Sequence, residues 1–279
     1  MEDFSPRDLE VAAARFGKAL GGVRLDAAVV AGSGVTVAPA DWERVRTVEL
    51  EGILPFDLLP LPGHSLDATL WQYRGRRVLA FNGRIHLYQG YTAPQVAVLP
   101  RLAALLGARI YIATNAAGGM DEDLHPGDLV IVRDHINLQG VNALVGEWSR
   151  WREPMFTDMS QAHDPALRRL AVRLAIETGF SAREGVYVGV LGPSFETPAE
   201  VAMLHGAGGS VVGMSTVQEV IAARHLGMRV LVLSLVTNAA AGRAAHPLSH
   251  EEVLEVGLAS RDRLKALLGR LLEEVLPCG

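Results

Sequence analysis

Short apolar runs punctuate this chain, and most of them stop abruptly at glycine, asparagine or threonine. Residues 27–31 (AAVVA), 77–81 (RVLAF), 109–113 (RIYIA), 128–133 (DLVIVR), 186–191 (VYVGVL), 210–212 (SVV) and 229–236 (RVLVLSLV) read as strands. The most continuous of these have no polar side, as expected of strands covered on both faces. Helices lie between them. Ser5-Pro6 opens one that runs to about residue 20, and others cover residues 94–106, 165–178 and 216–226, the 165–178 segment with apolar positions near the helical period. Thr197 reads as an N-cap with Pro198 at the first helical position and Glu200 completing a capping box. Thr216 with Glu219, and Ser249 with Glu252, repeat that signature, the latter opening a long helix to about residue 275. Strands alternating with helices predict an α/β fold around one central mixed sheet. With no internal repeat, low-complexity tract or linker, residues 1–279 read as a single domain. The least regular stretch, 140–156, is rich in Trp and Arg and reads as a mobile lid or a subunit contact.

Composition mainly excludes. With 49% apolar and 20% charged residues the chain is globular, not disordered. A net charge of −5 argues against a general nucleic-acid or membrane surface. The one cysteine, Cys278, leaves no intramolecular disulfide, which fits a reducing cytosol. Met1-Glu2-Asp3 does not begin a signal peptide, and no charge-free apolar run is long enough to span a bilayer, so a cytoplasmic protein is expected. Scattered histidines and a terminal cysteine offer no zinc spacing.

The chemistry concentrates where the strands end. Glu196 sits on the loop after the 186–191 strand, behind Gly192-Pro193 and beside Phe195, where open α/β sheets bind ligands. A carboxylate there can grip a flat ligand offering N–H donors, although on this stretch alone a solvated loop carboxylate is the simpler reading. Gly32-Ser33-Gly34 lets backbone N–H groups approach an anion, or is merely a turn; it lacks the third glycine of a dinucleotide loop and the Gly-Lys-Ser/Thr of a Walker loop. In extended chain Arg84, His86 and Tyr88 would share one face, joining a guanidinium suited to phosphate to an imidazole and a phenol; an exposed edge with an ordinary salt bridge is the alternative. Ser215 falls at the positive end of the helix opened by Thr216, a natural seat for a phosphate oxygen, or is itself a cap. Met214 lines a pocket or fills core. Asn238 ends a buried run and offers both a donor and an acceptor, or forms a turn. His250 can bond a sugar hydroxyl or lie on the surface, and His64, on a loop after Pro62-Gly63, can approach an anion.

Seven segments occur together in one order: Gly32-Ser33-Gly34, Pro62-Gly63-His64-Ser65, 83–91 (GRIHLYQGY), 114–119 (TNAAGG), 192–197 (GPSFET), 213–219 (GMSTVQE) and Thr237-Asn238. In this the chain resembles the trimeric purine nucleoside phosphorylases, over nearly its whole length. The resemblance implies a single-domain α/β fold whose central mixed sheet is partly barrel-like and flanked by helices. It also implies a homotrimer with sites near the subunit interfaces. Carried over by position, Ser33, Arg84, His86 and Ser215 would bind phosphate with the Ala116 backbone N–H, and His64 would move over it. Glu196 and Asn238 would read the purine beside Phe195. Tyr88, Met214 and His250 would contact the ribose, with Phe156 of a neighbouring subunit closing the sugar pocket.

The reaction implied is phosphorolysis of an N-glycosidic bond, with Asn238, Glu196 and His86 as the catalytic residues, inorganic phosphate as co-substrate, and neither cofactor nor metal. Asn at position 238 fits 6-oxopurine nucleosides such as inosine and guanosine, whereas members that cleave methylthioadenosine carry Asp there. A nicotinamide-dependent oxidoreductase would need the dinucleotide fingerprint that is missing, and a non-catalytic nucleoside-binding protein fits poorly with intact Arg84, His86, Glu196 and Asn238. Two departures from the family pattern stand out. Ala239 replaces the Lys of mammalian members, and Val145-Gly146-Glu147-Trp148 replaces the usual continuation after Asn142-Ala143-Leu144.

Overall fold

In the computed structural model, which describes residues 4–32, 42–58, 67–146, 156–243 and 249–276, nine strands form one sheet. They are β1 (Ala27–Ala31), β2 (Glu43–Glu49), β3 (Asp67–Tyr73), β4 (Arg76–Asn82), β5 (Ile110–Gly119), β6 (Leu129–Asn137), β7 (Ala182–Gly189), β8 (Val211–Gly213) and β9 (Arg229–Ala239). Their order is β2-β3-β4-β1-β5-β8-β7-β6-β9, and β5 pairs with β9 as well. That additional pairing closes β5, β8, β7, β6 and β9 into a small barrel, while β1, β4, β3 and β2 run off it as an open wing. The sheet is mixed: β1 runs parallel to β4 and β5, and β5 parallel to β9, whereas β3 is antiparallel to β4 and β8 to β5.

Period-two alternation sorts the apolar residues onto two faces. Ala28 and Val30 of β1 face a cluster shared with Leu79, Phe81 and Tyr111, covered by α1 (Pro6–Ala19), α3 (Val98–Leu105) and α6 (Val217–His225). Ala27 and Val29 face the opposite cluster with Val78, Ala80, Ile110 and Ile112, covered by α4 (Pro165–Glu177) and α7 (His250–Val275). This explains why these strands lack a polar side. Among the described residues no helix is long and apolar enough to cross a membrane.

Local signals account for most helix boundaries. Ser5 accepts from the Asp8 N–H and Asp8 returns the bond, starting α1; Thr197 and Glu200 do the same for α5 (Pro198–Gly206); Ser249 accepts from the Glu252 N–H at the start of α7. Two expectations change. The single helix predicted over 94–106 is two, α2 (Ala93–Val96) and α3, broken at Ala97. Pro100 supplies no N–H, and its ring would crowd the carbonyl of Val96, so the helix divides one turn before it. Strands β2 and β3 were not foreseen: β2, reading ERVRTVE, is an exposed, charged edge with no apolar run, as edge strands often are. β5 and β9 also run beyond their apolar stretches. Thr114, Asn115 and Asn238 end those stretches yet remain in the β5–β9 ladder, with Thr237 at the register shift between them, so these polar groups lie on the sheet and not on loops.

Candidate active site

A cavity of about 420 Å³ opens at the carboxyl ends of β1, β4, β5 and β9, the position at which α/β sheets build ligand sites. Gly32, Arg84, His86 and Tyr88 line one end of it; Phe195, Glu196 and Asn238 line another; Ala116, Met214 and Ser215 lie between. A larger, more open groove of about 1000 Å³ runs between α1 and the turn after α3. It lies at the amino ends of the strands, away from every one of these groups.

Arg84 is the most tightly built residue of the site. It follows β4 and is only 3% exposed. Its Nε donates to Glu219 Oε1 at 2.9 Å, Nη2 to Glu219 Oε2 at 3.5 Å, and Nη1 to the Thr114 carbonyl at 2.7 Å. Glu219 is fully buried on α6 and accepts a further bond from the Tyr111 hydroxyl at 3.1 Å. Burial alone would loosen the Arg84 proton; the Glu219 carboxylate reverses this and carries the guanidinium above its ordinary pKa. Burial, and then Glu219, push the Tyr111 phenol well above the usual range, so it remains a donor.

Glu219 was expected to cap α6 with Thr216, and it does not. Thr216 has φ 65° and ψ −42° and makes no side-chain cap bond. The Val217 N–H instead reaches back to the Ser215 carbonyl at 2.7 Å, closing a strained γ-turn centred on Thr216. The turn is held by Asn115, whose Nδ2 donates to Thr216 Oγ1 at 3.0 Å, and by the 2.9 Å contact between the Ser215 and Thr216 hydroxyls. Tyr187 supports it from below, accepting from the Ser215 N–H at 3.2 Å. Ser215 therefore brings a hydroxyl to the cavity, while its N–H is already committed.

Arg84, His86 and Tyr88 converge, though not as extended chain. β4 stops at Asn82, and Leu87–Gln89 make one 3₁₀ turn with His86 as its N-cap. The turn swings Tyr88 back over His86, and their rings stack with centroids 4.7 Å apart. Gly32 ends β1 with its N–H on Thr114 Oγ1 at 2.8 Å, and a β-carbon there would sit 3.1 Å from the Thr114 carbonyl. Ser33 and His64 lie outside the described residues. Of His250 the backbone is described, as the first residue of α7, and the side chain is not.

The other end is looser. Phe195 is 43% exposed, and half-buried Glu196 has its pKa raised, first by burial and then by the neighbouring Glu200 charge. Asn238 is better held: Oδ1 accepts from the Thr237 hydroxyl at 3.1 Å and Nδ2 donates to the Ala239 carbonyl at 3.0 Å. One amide N–H and one oxygen lone pair are left for a ligand. Met214 lines the cavity beside Ser215 and is not core filling. Phe156 does not line the cavity of this chain and is 85% exposed; residues 147–155 of the irregular stretch lie outside the described residues.

Four residues of this site went unnoticed in the sequence as functional candidates. Glu219 carried a capping signature, Tyr111 and Tyr187 sat inside apolar runs, and Asn115 lay within a recognised motif with no assigned task. Only the pairing of distant segments reveals them.

The sequence model of the phosphorylase superfamily matches residues 27–273. The purine nucleoside phosphorylase 1 of Geobacillus stearothermophilus is 40% identical over 248 residues, covering 89% of each chain. The purine nucleoside phosphorylase of Mycobacterium tuberculosis is 43% identical over 248 residues, covering 88% of each. Among solved structures, a Schistosoma purine nucleoside phosphorylase in complex with guanosine superposes with a TM-score of 0.86 at 35% identity, covering 98% of each chain. The Schistosoma mansoni enzyme in complex with inosine gives 0.87 at 35%, covering 97% of each.

Proposed function

The chain belongs to the phosphorylase superfamily, and from that premise we propose that it is a purine nucleoside phosphorylase that cleaves 6-oxopurine nucleosides with inorganic phosphate. One observation carries the proposal: a residue suited to a phosphate, Arg84, and two suited to a lactam-type purine, Glu196 and Asn238, line the same cavity. Similarity to relatives of that name and to structures holding guanosine and inosine supports it.

In this reading phosphate lies against Arg84, His86, the Ser215 hydroxyl and the Ala116 N–H, with Ser33 and His64 completing the shell. The purine lies between Phe195, Glu196 and Asn238, and the ribose spans the middle near Tyr88, Met214 and His250. The C1′–N9 bond breaks with its electron pair passing to the purine. A phosphate oxygen bonds C1′ from the opposite face, inverting it, and the proton that the hydrogen phosphate gives up on forming its ester passes to the departing base. Glu196 accepts from ring and exocyclic N–H groups, and the uncommitted amide of Asn238 bonds N7 and O6, where charge accumulates. Positioning and fixed dipoles of this kind are commonly the largest catalytic terms. The reaction calls on no cofactor and no protein nucleophile. Asn238 favours inosine and guanosine over adenosine and methylthioadenosine. We also propose a cytoplasmic homotrimer in which exposed Phe156 closes the ribose pocket of a neighbour. Hypoxanthine released from inosine only when phosphate is present is the expected result; phosphate-independent release, none at all, or comparable turnover of adenosine overturns it.

A further inference from the structure

Five N–H bonds radiate from a guanidinium, and three of those on Arg84 are already committed: Nε and Nη2 to the two oxygens of Glu219, and Nη1 to the Thr114 carbonyl. One N–H remains on each terminal nitrogen of this cavity-lining residue, and a guanidinium that presents both terminal nitrogens matches two oxygens of a tetrahedral anion. An arginine without such a clamp has many rotamers to lose on binding. The clamp is itself fixed. Glu219 has no exposed surface and does not line the cavity, its Oε2 takes the Tyr111 hydroxyl at 3.1 Å, and Tyr111 is wholly buried in β5.

We propose that Glu219, itself oriented by Tyr111, is a positioning residue that aims the free edge of Arg84 into the phosphate subsite. It acts through Arg84 and touches no substrate. The inference rests on the assignment of Arg84 to phosphate made above. Two effects of Glu219 on a bound dianion oppose each other: it fixes the fork, which favours binding, and its negative charge lies behind the guanidinium, which disfavours binding. Replacement by Gln would alter both together. Glu219→Asp separates them, since it keeps the charge and withdraws the carboxylate by one methylene. Tyr111→Phe keeps both carboxylate and charge and removes only the bond that orients them.

The test is steady-state kinetics with phosphate and inosine varied separately, together with the shift in Tm produced by phosphate alone. For Glu219→Asp the expected result is a KM for phosphate raised about tenfold or more, since a misplacement near 1 Å can cost that much. The KM for inosine should stay within about twofold, and the phosphate-induced Tm shift should shrink. For Tyr111→Phe the same split is expected at about threefold to fivefold, the worth of one ordinary hydrogen bond. A contribution to folding alone would lower Tm in both variants and leave the phosphate KM and the phosphate-induced shift unchanged, and that result overturns the proposal. If Glu219→Asp does not fold, Tyr111→Phe decides by the same criteria. Wild-type protein that binds phosphate but leaves inosine intact would sink the functional reading separately, and the Tm shift would still judge the clamp.

Discussion

The two ends of the cavity are built differently. Around Arg84 the polar groups are buried and tied to partners on three separate elements: Glu219 on α6, Tyr111 and Thr114 on β5, and Tyr187 on β7 beneath the Ser215 turn. Around Glu196 the loop is half open, Phe195 is exposed, and the carboxylate stands close to another acid, Glu200. On the proposed function the difference matches the two ligands. A phosphate dianion is small and multiply charged, and fixed dipoles hold it best. A purine enters and leaves as a flat, largely apolar body, which a half-exposed loop can admit. A buried ion pair such as Arg84–Glu219 is costly in itself, which fits a use in aiming a ligand better than one in holding the fold together.

Substitutions can break this contrast. Arg84→Met should do the most damage because it strikes both fold and chemistry. It leaves Glu219 buried without its counter-charge, an expected loss of about 3–5 kcal/mol measurable by urea unfolding, and it should abolish detectable phosphate dependence in the inosine assay. At the other end activity should fall without the fold. Glu196→Ala and Asn238→Ala should each lower kcat/KM for inosine by about 10²–10³, Glu196→Ala at least as severely as Asn238→Ala, with midpoints of unfolding near wild type. A comparable stability loss at both ends would erase the distinction.

Acidity sharpens the contrast at smaller scale. On the proposed function Glu196 is ionised when it accepts the purine N–H, and its pKa is raised. The KM for inosine should therefore climb on acidification from a higher pH than an ordinary glutamate would set, and Glu196→Gln should remove that limb from the profile. Beneath the Thr216 turn, His163 is buried against His135, with His163 Nε2 3.1 Å from His135 Nδ1. Its pKa is lowered from 6.5 to about 3, first by burial and then by His135 and Arg168. The unfolded chain binds that proton below pH 6.5 and the folded chain does not, so stability should decline as pH falls below that value. The slope approaches about 1.4 kcal/mol per pH unit. His163→Gln should flatten it in unfolding curves taken across pH 4 to 7, and an unchanged slope would remove His163 as its source.

Much of this was legible in the linear chain because burial leaves a periodic trace. The runs of β1, β5 and β9, and the caps Ser5, Thr197 and Ser249, follow from local rules, and each lies where those rules put it. β2 left no trace because an edge strand has no covered face to encode. Thr216 and Glu219 misled because a capping signature and a strained turn with a buried acid can be spelled alike. What separates them is Arg84, 135 residues away in the chain. Cavity-lining residues could be named one by one, but the groups that hold them in place could not, since their partners lie on other segments.

Gly32 shows how far such dependence reaches. Thr114 carries two loads: its hydroxyl takes the Gly32 N–H, and its carbonyl takes the guanidinium of Arg84. A β-carbon at position 32 would stand 3.1 Å from that carbonyl, tighter than an ordinary contact. A single added carbon at position 32 would act as a wedge, levering Thr114 and with it the direction in which Arg84 points. On the proposed function, affinity for phosphate would then depend on the gauge of two adjacent strands, at a position that bears no functional group at all.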